Sequence, residues 1–383
     1  MCDIHLDIKA KILSSDIDEV TLAELKESYQ GTDQEDLWRE LVRDELAGHL
    51  VDKLNIIGIQ IEEDKRIVAA DISISVCQLM DELDRISQHL QDFDVAIVAL
   101  KNAGITRGIY SNYACSQMGD LDFLVRRRDF WKAHHLLTND LKYTFEFRSS
   151  LEPKDIEEAF FSGGTEYYRD IKGRRIWVEL QWRPIAGRWI QPHLEPDGDE
   201  LMDRSLPIEG TAARILCPED NLLQVCLHTA KHSYCRAPGF RLHSDVDRIV
   251  RFTDVDWNIF NAAVEGLHVK TAVYYSLLIP KVLLKTPIPD EVVNRIEPPK
   301  WKRKLIEWLL RKAGLTDQTK RKFTITGYIF FNLLLYDRLS DALRGILPSS
   351  DQMKERYQFT SSLLLPYYHF VRLGSLIFKR AKL

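Results

Sequence analysis

The sequence predicts an α+β protein: a small mixed sheet with helices, followed by a mostly helical C-terminal domain. Three observations carry this. Between about Ala96 and Trp182, short apolar or alternating runs are separated by turn residues, as in strands. Ahead of them, apolar residues recur at helical spacing, and from Pro218 onward the helical pattern continues to the end. The 383 residues leave room for two or three domains. The pattern divides them into a helical lead-in at 1–93 that packs on the sheet, the sheet domain at 94–205, and the helical domain at 206–383.

Each element has its own justification. Residues 1 to about 33 are polar and mixed, ending in Gln30-Gly31-Thr32-Asp33. Asp33 is a good N-cap for a helix carrying Leu37, Leu41, Leu46 and Leu50. A second helix is predicted from about Asp71 to Gln91, with Val76, Leu79, Met80, Leu83 and Ile86 on its apolar side. Ala96 to Leu100 is a continuous apolar run, consistent with a buried strand, and Lys101 stands at its end. Leu121, Phe123 and Val125 alternate, so this run reads as a second strand. Arg126-Arg127-Arg128-Asp129 opens a helix reaching about Leu137, with Phe130, Ala133, Leu136 and Leu137 inward. Strands around 142–148, 165–171 and 175–182 complete the sheet, with turns at Gly163-Gly164 and Lys172-Gly173. Pro184 to Asp199 reads as a long loop able to border a site.

Pro218-Glu219-Asp220 suits a helix start, with Pro near the first position and acids in the first turn. Further helices are expected near 256–266, 269–285, 300–313 and 325–345. The stretch from Trp301 to Lys312 is basic and amphipathic, with Trp301, Leu305, Trp308 and Leu309 on one side. It reads as a bundle helix in preference to a membrane-surface element. The basic tail from Phe378 to Lys382 is too short to imply a membrane or nucleic-acid partner.

Composition excludes some classes. A hydrophobic content of 45% with 28% charged residues is that of an ordinary globular protein. The net charge of -5 argues against a strongly basic nucleic-acid binder. Cysteines at 2, 77, 115, 217, 226 and 235 show no framework spacing, which points to reduced thiols. The N-terminus lacks a basic-then-apolar leader, and no run approaches ~18 uninterrupted apolar residues. A cytoplasmic location without a transmembrane segment is expected.

The chemistry centres on Gly119-Asp120-Leu121-Asp122-Phe123-Leu124-Val125. Alternation puts Asp120 and Asp122 on one face of the strand, roughly 7 Å apart. Asp is a poor strand former. Two at this spacing suit a divalent cation held against phosphates, since magnesium takes one or two carboxylates together with phosphate oxygens. In Arg175 to Trp182, the residues Ile176, Val178, Leu180 and Trp182 form an apolar face, and Glu179 lies opposite, between Trp177 and Gln181. If the two strands pair, Glu179 adds a third acid. A solvated acidic face is the plainer alternative, because Asp-x-Asp is common. The three consecutive arginines beside the acids are suggestive of phosphate contact, though such runs are more often solvated.

The helix opened by Pro218 carries His228, Lys231, His232 and Cys235. At i, i+4 and i+7, His228, His232 and Cys235 would share a face, which invites a zinc reading. The spacing matches no standard zinc signature, so phosphate or acceptor binding and ordinary packing remain beside it. Asp245 and Asp247 are secondary candidates for positioning a substrate.

Val98-Ala99-Leu100-Lys101, Met118 to Val125 and Val178-Glu179-Leu180-Gln181-Trp182 together resemble the uncharacterised nucleotidyltransferase family of bacterial proteins, a branch of the DNA polymerase β-type nucleotidyltransferase superfamily. The family pattern is Leu-Lys-Gly, a Tyr and an Arg, Asp-apolar-Asp-apolar-Leu-Val, then an acid before a Trp. The resemblance covers most of the chain from about Val95. More loosely, it takes in Pro218-Glu219-Asp220, Leu347-Pro348-Ser349 and Arg356-Tyr357. It implies a nucleotidyltransferase-type sheet and transfer of a nucleoside monophosphate from an NTP to an acceptor hydroxyl, releasing pyrophosphate. The implied cofactor is Mg2+ or Mn2+ on Asp120, Asp122 and Glu179. Lys101, Arg107, Ser116 and Gly119 are the implied nucleotide contacts, and His228, Lys231, His232 and Asp245 the substrate or phosphate candidates. A small molecule, peptide or protein is preferred to nucleic acid as the acceptor. The sequence departs from the pattern at Asn102, in place of the Gly, and at Ser116, near the place of the Arg. The superfamily's Gly-Ser pair is not clearly present, which leaves Ser111 and Ser116 as nearby hydroxyls and Arg107 as a replacement cation. These departures leave room for an inactive homologue serving as a binding or scaffold module.

Overall fold

The computed structural model describes residues 4–149, 155–185, 190–315, 322–348 and 350–378. The lead-in contains α1 (Ile4–Leu13), α2 (Glu19–Gln30), α3 (Gln34–Arg43), α4 (Ala47–Ile56) and the 30-residue α5 (Glu63–Asp92). The stretch read as polar and mixed is therefore largely two helices. In α2 the stripe is narrow, with only Thr21, Leu25 and Tyr29 buried. Asp33 caps α3 as expected, accepting bonds from the Glu35 and Asp36 amides. The helix predicted through Leu50 breaks at Asp44–Leu46, where Glu45 takes a positive φ of 60°. Both halves keep their leucines inside.

The sheet domain runs β1 (Val98–Ala99), α6 (Lys101–Gly108), β2 (Asp120–Leu124), α7 (Phe130–His135), β3 (Thr144–Phe145), α8 (Ile156–Ser162), β4 (Gly164–Ile171) and β5 (Arg174–Gln181). It continues through α9 (Gly198–Arg204), β6 (Leu206–Pro207) and β7 (Arg214–Ile215). Among the described residues the strands form one mixed seven-stranded sheet in the order β3-β4-β5-β2-β1-β7-β6. The two-residue strands β6 and β7 carry no alternation that a sequence could announce. The β4–β5 hairpin turns at Lys172-Gly173, both at positive φ, as its tight two-residue turn demands. Gly104 lets α6 lie against β1, since a Cβ there would stand 2.3 Å from the Ala99 carbonyl oxygen.

Helices α10 (Pro218–Lys231), α11 (Leu242–Phe252), α12 (Trp257–Gly266), α13 (Lys270–Leu283), α14 (Asp290–Arg295) and α15 (Lys300–Ala313) follow. The chain then forms α16 (Ile325–Leu334), α17 (Leu339–Ile346), α18 (Ser350–Tyr357) and α19 (Leu365–Phe378). The single helix expected over 325–345 is thus two. α15 packs in the bundle, but its buried residues are Lys302, Ile306, Leu309 and Ala313, and Trp301 and Trp308 are exposed. Lys302 can be inside because its ammonium donates to the Tyr336 carbonyl and the Thr271 hydroxyl. Among the described residues no helix is long and apolar enough to cross a membrane. Ser349 and the tail 379–382 lie outside the described residues, as does the Arg356 side chain.

The helices of the lead-in divide between two cores. Val76 to Leu90 of α5 pack with Leu121, Phe123, Ile176, Val178 and Leu180 on one face of the sheet. α1–α4 instead share a core with Phe240 and Leu284, so most of the lead-in leans on the C-terminal helices. The reason is that α5 alone presents its apolar stripe to the pleated face left open by β2 and β5.

Candidate active site

Local alternation and one parallel pairing build the site. β2 and β5 pair in parallel, with Asp120 opposite Trp177 and Asp122 opposite Glu179. The apolar residues of both strands point into the α5 core, so the acids are forced to the other face. There Asp122 and Glu179 stand side by side, and Asp122 is 4% exposed. Asp120 lies on the same face, one pleat along β2.

Two cations meet them. The Lys101 ammonium donates to Asp122 Oδ1 and lies 3.5 Å from Glu179 Oε2. Its backbone, at φ 54°, is in the left-handed region at the very start of α6. A non-glycine residue holds that conformation at a cost of order 1 kcal/mol. The Arg148 guanidinium donates to Asp120 Oδ2 and, through Nε at 3.2 Å, to Glu166 Oε2. Gln181 Nε2 completes the set with a 3.0 Å bond to Asp122 Oδ1. Sequence reasoning did not single out Arg148, Glu166 or Gln181 for roles; Gln181 was visible only through its parity with Glu179.

Burial raises the Asp122 carboxyl well above the usual carboxylate range; the neighbouring Asp120 and Glu179 charges push the same way, and Lys101 opposes them. Burial would raise Glu179 too, but Lys101, the Asp122 hydrogen bond, Lys231 and Arg148 outweigh it and hold Glu179 low. Lys101 is held charged, since its three acidic neighbours outweigh its own burial.

The C-terminal end of α10 closes over this face. Lys231 donates to the Ile185 carbonyl at 3.1 Å; burial lowers its pKa, and the Lys101 charge lowers it further against Glu179 and Asp122. His228 and His232 stack edgewise with centroids 4.8 Å apart. Burial and the adjacent cations keep both neutral, with His232 brought down to about 3. The structure thus brings Lys231 near Glu179 and Asp122, and His228 near Lys101 and Lys231. It does not bring Cys235 there: α10 ends at Lys231, and Ser233 and Tyr234 take positive φ, so the i, i+7 relation fails. Among the described residues, the only three ligand atoms within 4.8 Å of one another belong to His5, Asp36 and Glu40. The zinc reading of His228, His232 and Cys235 is not supported.

The other predicted residues divide. Gly119 lies beside Asp120, and a Cβ there would meet nothing within 4 Å, so its backbone is open to approach. Arg107 faces away, bonded to Asp84 and to the Glu209 and Gly210 carbonyls. Ser116 is buried and donates to the Asn112 carbonyl. Asn102 donates to the Ser116 and Gln117 carbonyls, fastening the start of α6 to the segment before Gly119. Ser111 donates to the Thr106 carbonyl. Asp245 is buried near Arg248, apart from the acids. Of the three arginines, Arg126 pairs with Asp203, Arg127 lies over Trp182 at 4.5 Å, and Arg128 is largely exposed.

The donor chemistry is that of a hard divalent cation, since the acids Asp120, Asp122, Glu166 and Glu179 share one face and outnumber the bonded cations Lys101 and Arg148; no three of these acids bring oxygens within 4.8 Å of one another, with Lys101 and Arg148 held among them. Residues 30–285 match a family model described as an uncharacterised nucleotidyltransferase, a span that includes every residue of this site. No curated protein matches the chain, and no solved structure does.

Proposed function

The chain belongs to the uncharacterised nucleotidyltransferase family, and from that premise we propose that it moves a nucleoside monophosphate from an NTP to an acceptor hydroxyl, releasing pyrophosphate. The observation that carries this reading is the register that sets Asp122 beside Glu179 with Asp120 one pleat away. Asp120, Asp122 and Glu179 would hold Mg2+ or Mn2+, which when bound supplies Lewis-acid stabilisation of the phosphate charge. The acceptor oxygen bonds to the α-phosphorus, the bond to the β-phosphate breaks, and the hydroxyl proton passes to the Glu179 carboxylate. Lys101 has strong reason to stay charged and is within reach of phosphates bound at the acids. Lys231 and His228, on α10, border the space where an acceptor would approach.

Thermal unfolding with each of the four NTPs, with and without Mg2+, tests the reading on wild type and on Asp120→Asn/Asp122→Asn. Ligand at about 100 times its Kd adds ~2.7 kcal/mol of stability. A metal-dependent rise in Tm with one or more NTPs, lost in the double variant, supports transfer. A second reading, a catalytically inactive scaffold, is favoured by one observation: the Lys101 ammonium already engages Asp122 and Glu179. The absence of any nucleotide-dependent shift would decide for it.

A further inference from the structure

The acid-bearing face of the sheet does not end at the acids. Two residues before Glu179 on the same face stands Trp177, directly opposite Asp120 on β2 and opposite Tyr168 on β4. The Trp177 and Tyr168 rings lie 5.2 Å apart at 49° and form a continuous, half-buried aromatic surface. Arg148 joins this surface to the acids, with its guanidinium bonded to Asp120 and 5.3 Å from the Trp177 ring centre. Arg175 lies over Tyr168 at 4.2 Å and bounds the far side. The buried apolar residues of β5, Ile176, Val178 and Leu180, are on the opposite face, so the aromatics are not part of that core.

We propose that Trp177 and Tyr168 form the platform on which the nucleobase of the donor nucleoside triphosphate stacks, with Arg148 serving the phosphates beside it. This rests on the transfer reading and deepens it. Three features point to a base. Aromatic rings offer a π-face that any base can cover, whatever its hydrogen-bonding edge. The platform lies roughly 7 Å along β5 from Glu179, the gap that a ribose spans between phosphate and base. The guanidinium between them is planar and has donors suited to phosphate oxygens, and already stacks on the indole. Arg148 also replaces, from a distant segment, the cation that Ser116 cannot supply.

The test is calorimetric binding in the presence of Mg2+, comparing each NTP with inorganic tripolyphosphate, which has the phosphates and no base. The wild type is expected to bind its preferred NTP about tenfold or more above tripolyphosphate. Trp177→Leu should remove that margin and leave tripolyphosphate affinity unchanged, while Trp177→Phe retains most of it. Tyr168→Ser should give a smaller loss of the same kind, and it serves in place of Trp177→Leu if that variant does not fold. Wild-type NTP affinity in both Trp177→Leu and Tyr168→Ser, with tripolyphosphate still bound, overturns the platform and leaves the transfer reading standing. Failure of the wild type to bind either NTP or tripolyphosphate overturns both.

Discussion

Two of the places where the protein buries charge differ in kind. Around β2 and β5, like charges share one face: Asp122 adjoins Glu179, Asp120 lies one pleat away, and burial with these neighbours pushes the Asp122 carboxyl up. Around α11, the fully buried Arg248 donates to the Cys115 carbonyl at 2.5 Å, packs on Tyr110 at 4.6 Å and lies 4.0 Å from Asp245. His49 beside it is kept neutral by burial and by that same guanidinium. In this second cluster cations, Arg248 with Arg241 nearby, face the acid Asp245, and several polar atoms have no bond, among them Asp245 Oδ1, Arg248 Nε and His49 Nδ1. It ties α11 to α4 and to the segment before Gly119. Burial is common to both clusters, so burial alone does not mark a functional site. Crowding of like charge is the better pointer, because a fold gains no stability from it.

The largest test of this contrast is paired. Asp122→Asn should lower transfer by more than about 10²-fold, read by pyrophosphate release, while its circular dichroism stays that of the wild type. Arg248→Met should do the reverse, costing ~3–5 kcal/mol of stability in denaturant unfolding and sparing nucleotide affinity in the folded fraction. If Arg248→Met abolished binding without unfolding the chain, the two clusters would not be separable.

Lys101→Met comes next. Removing the ammonium leaves Asp122 and Glu179 uncompensated and should cost roughly 3 kcal/mol. Because Mg2+ can take the same carboxylates, it should raise Tm more in this variant than in the wild type. An equal rise in both would mean that the metal does not compete for those oxygens.

A smaller effect is expected at Asp245, where burial raises the carboxyl above its ordinary value, against Arg248 and Arg241. The folded state then prefers the protonated form. Its stabilising contribution is full below the unfolded value of about 4 and is lost as pH rises through the raised folded value. Asp245→Asn escapes that loss, so its Tm advantage over wild type should grow from acidic to neutral pH. A difference independent of pH would show the charge to be fully compensated. Smallest of all, Arg128→Ala should change neither Tm nor Mg2+-dependent nucleotide binding, since Arg128 stands in solvent with only Asp129 near it.

Much of the architecture is legible in the sequence. The alternation in Leu121 to Val125 and in Ile176 to Trp182 specifies both strands and the face each acid takes. Asp33 and Pro218 specify their helix starts, and Lys172-Gly173 the hairpin. The misses have physical causes. Helix α1 is short and includes a lysine, Lys9, among its buried residues, and α2 buries only Thr21, Leu25 and Tyr29, so their periodicity is faint. α17 begins after the Asp337–Arg338 break, where no glycine or proline gives warning. α15 buries a lysine stem, which a hydrophobic pattern counts as surface.

By itself, the sequence determined which side chains share a face, because the pleat makes that a property of neighbouring residues. Tertiary structure alone decided which cations answer the acids. Lys101 reaches Asp122 from 21 residues away and Arg148 reaches Asp120 from 28, while Arg107, closer to both acids in sequence than Arg148 is to Asp120, turns to Asp84. Nothing local governs those choices. They follow from the path of the chain through α6 and β3, and from the low-dielectric face on which an unpaired charge is too costly to leave.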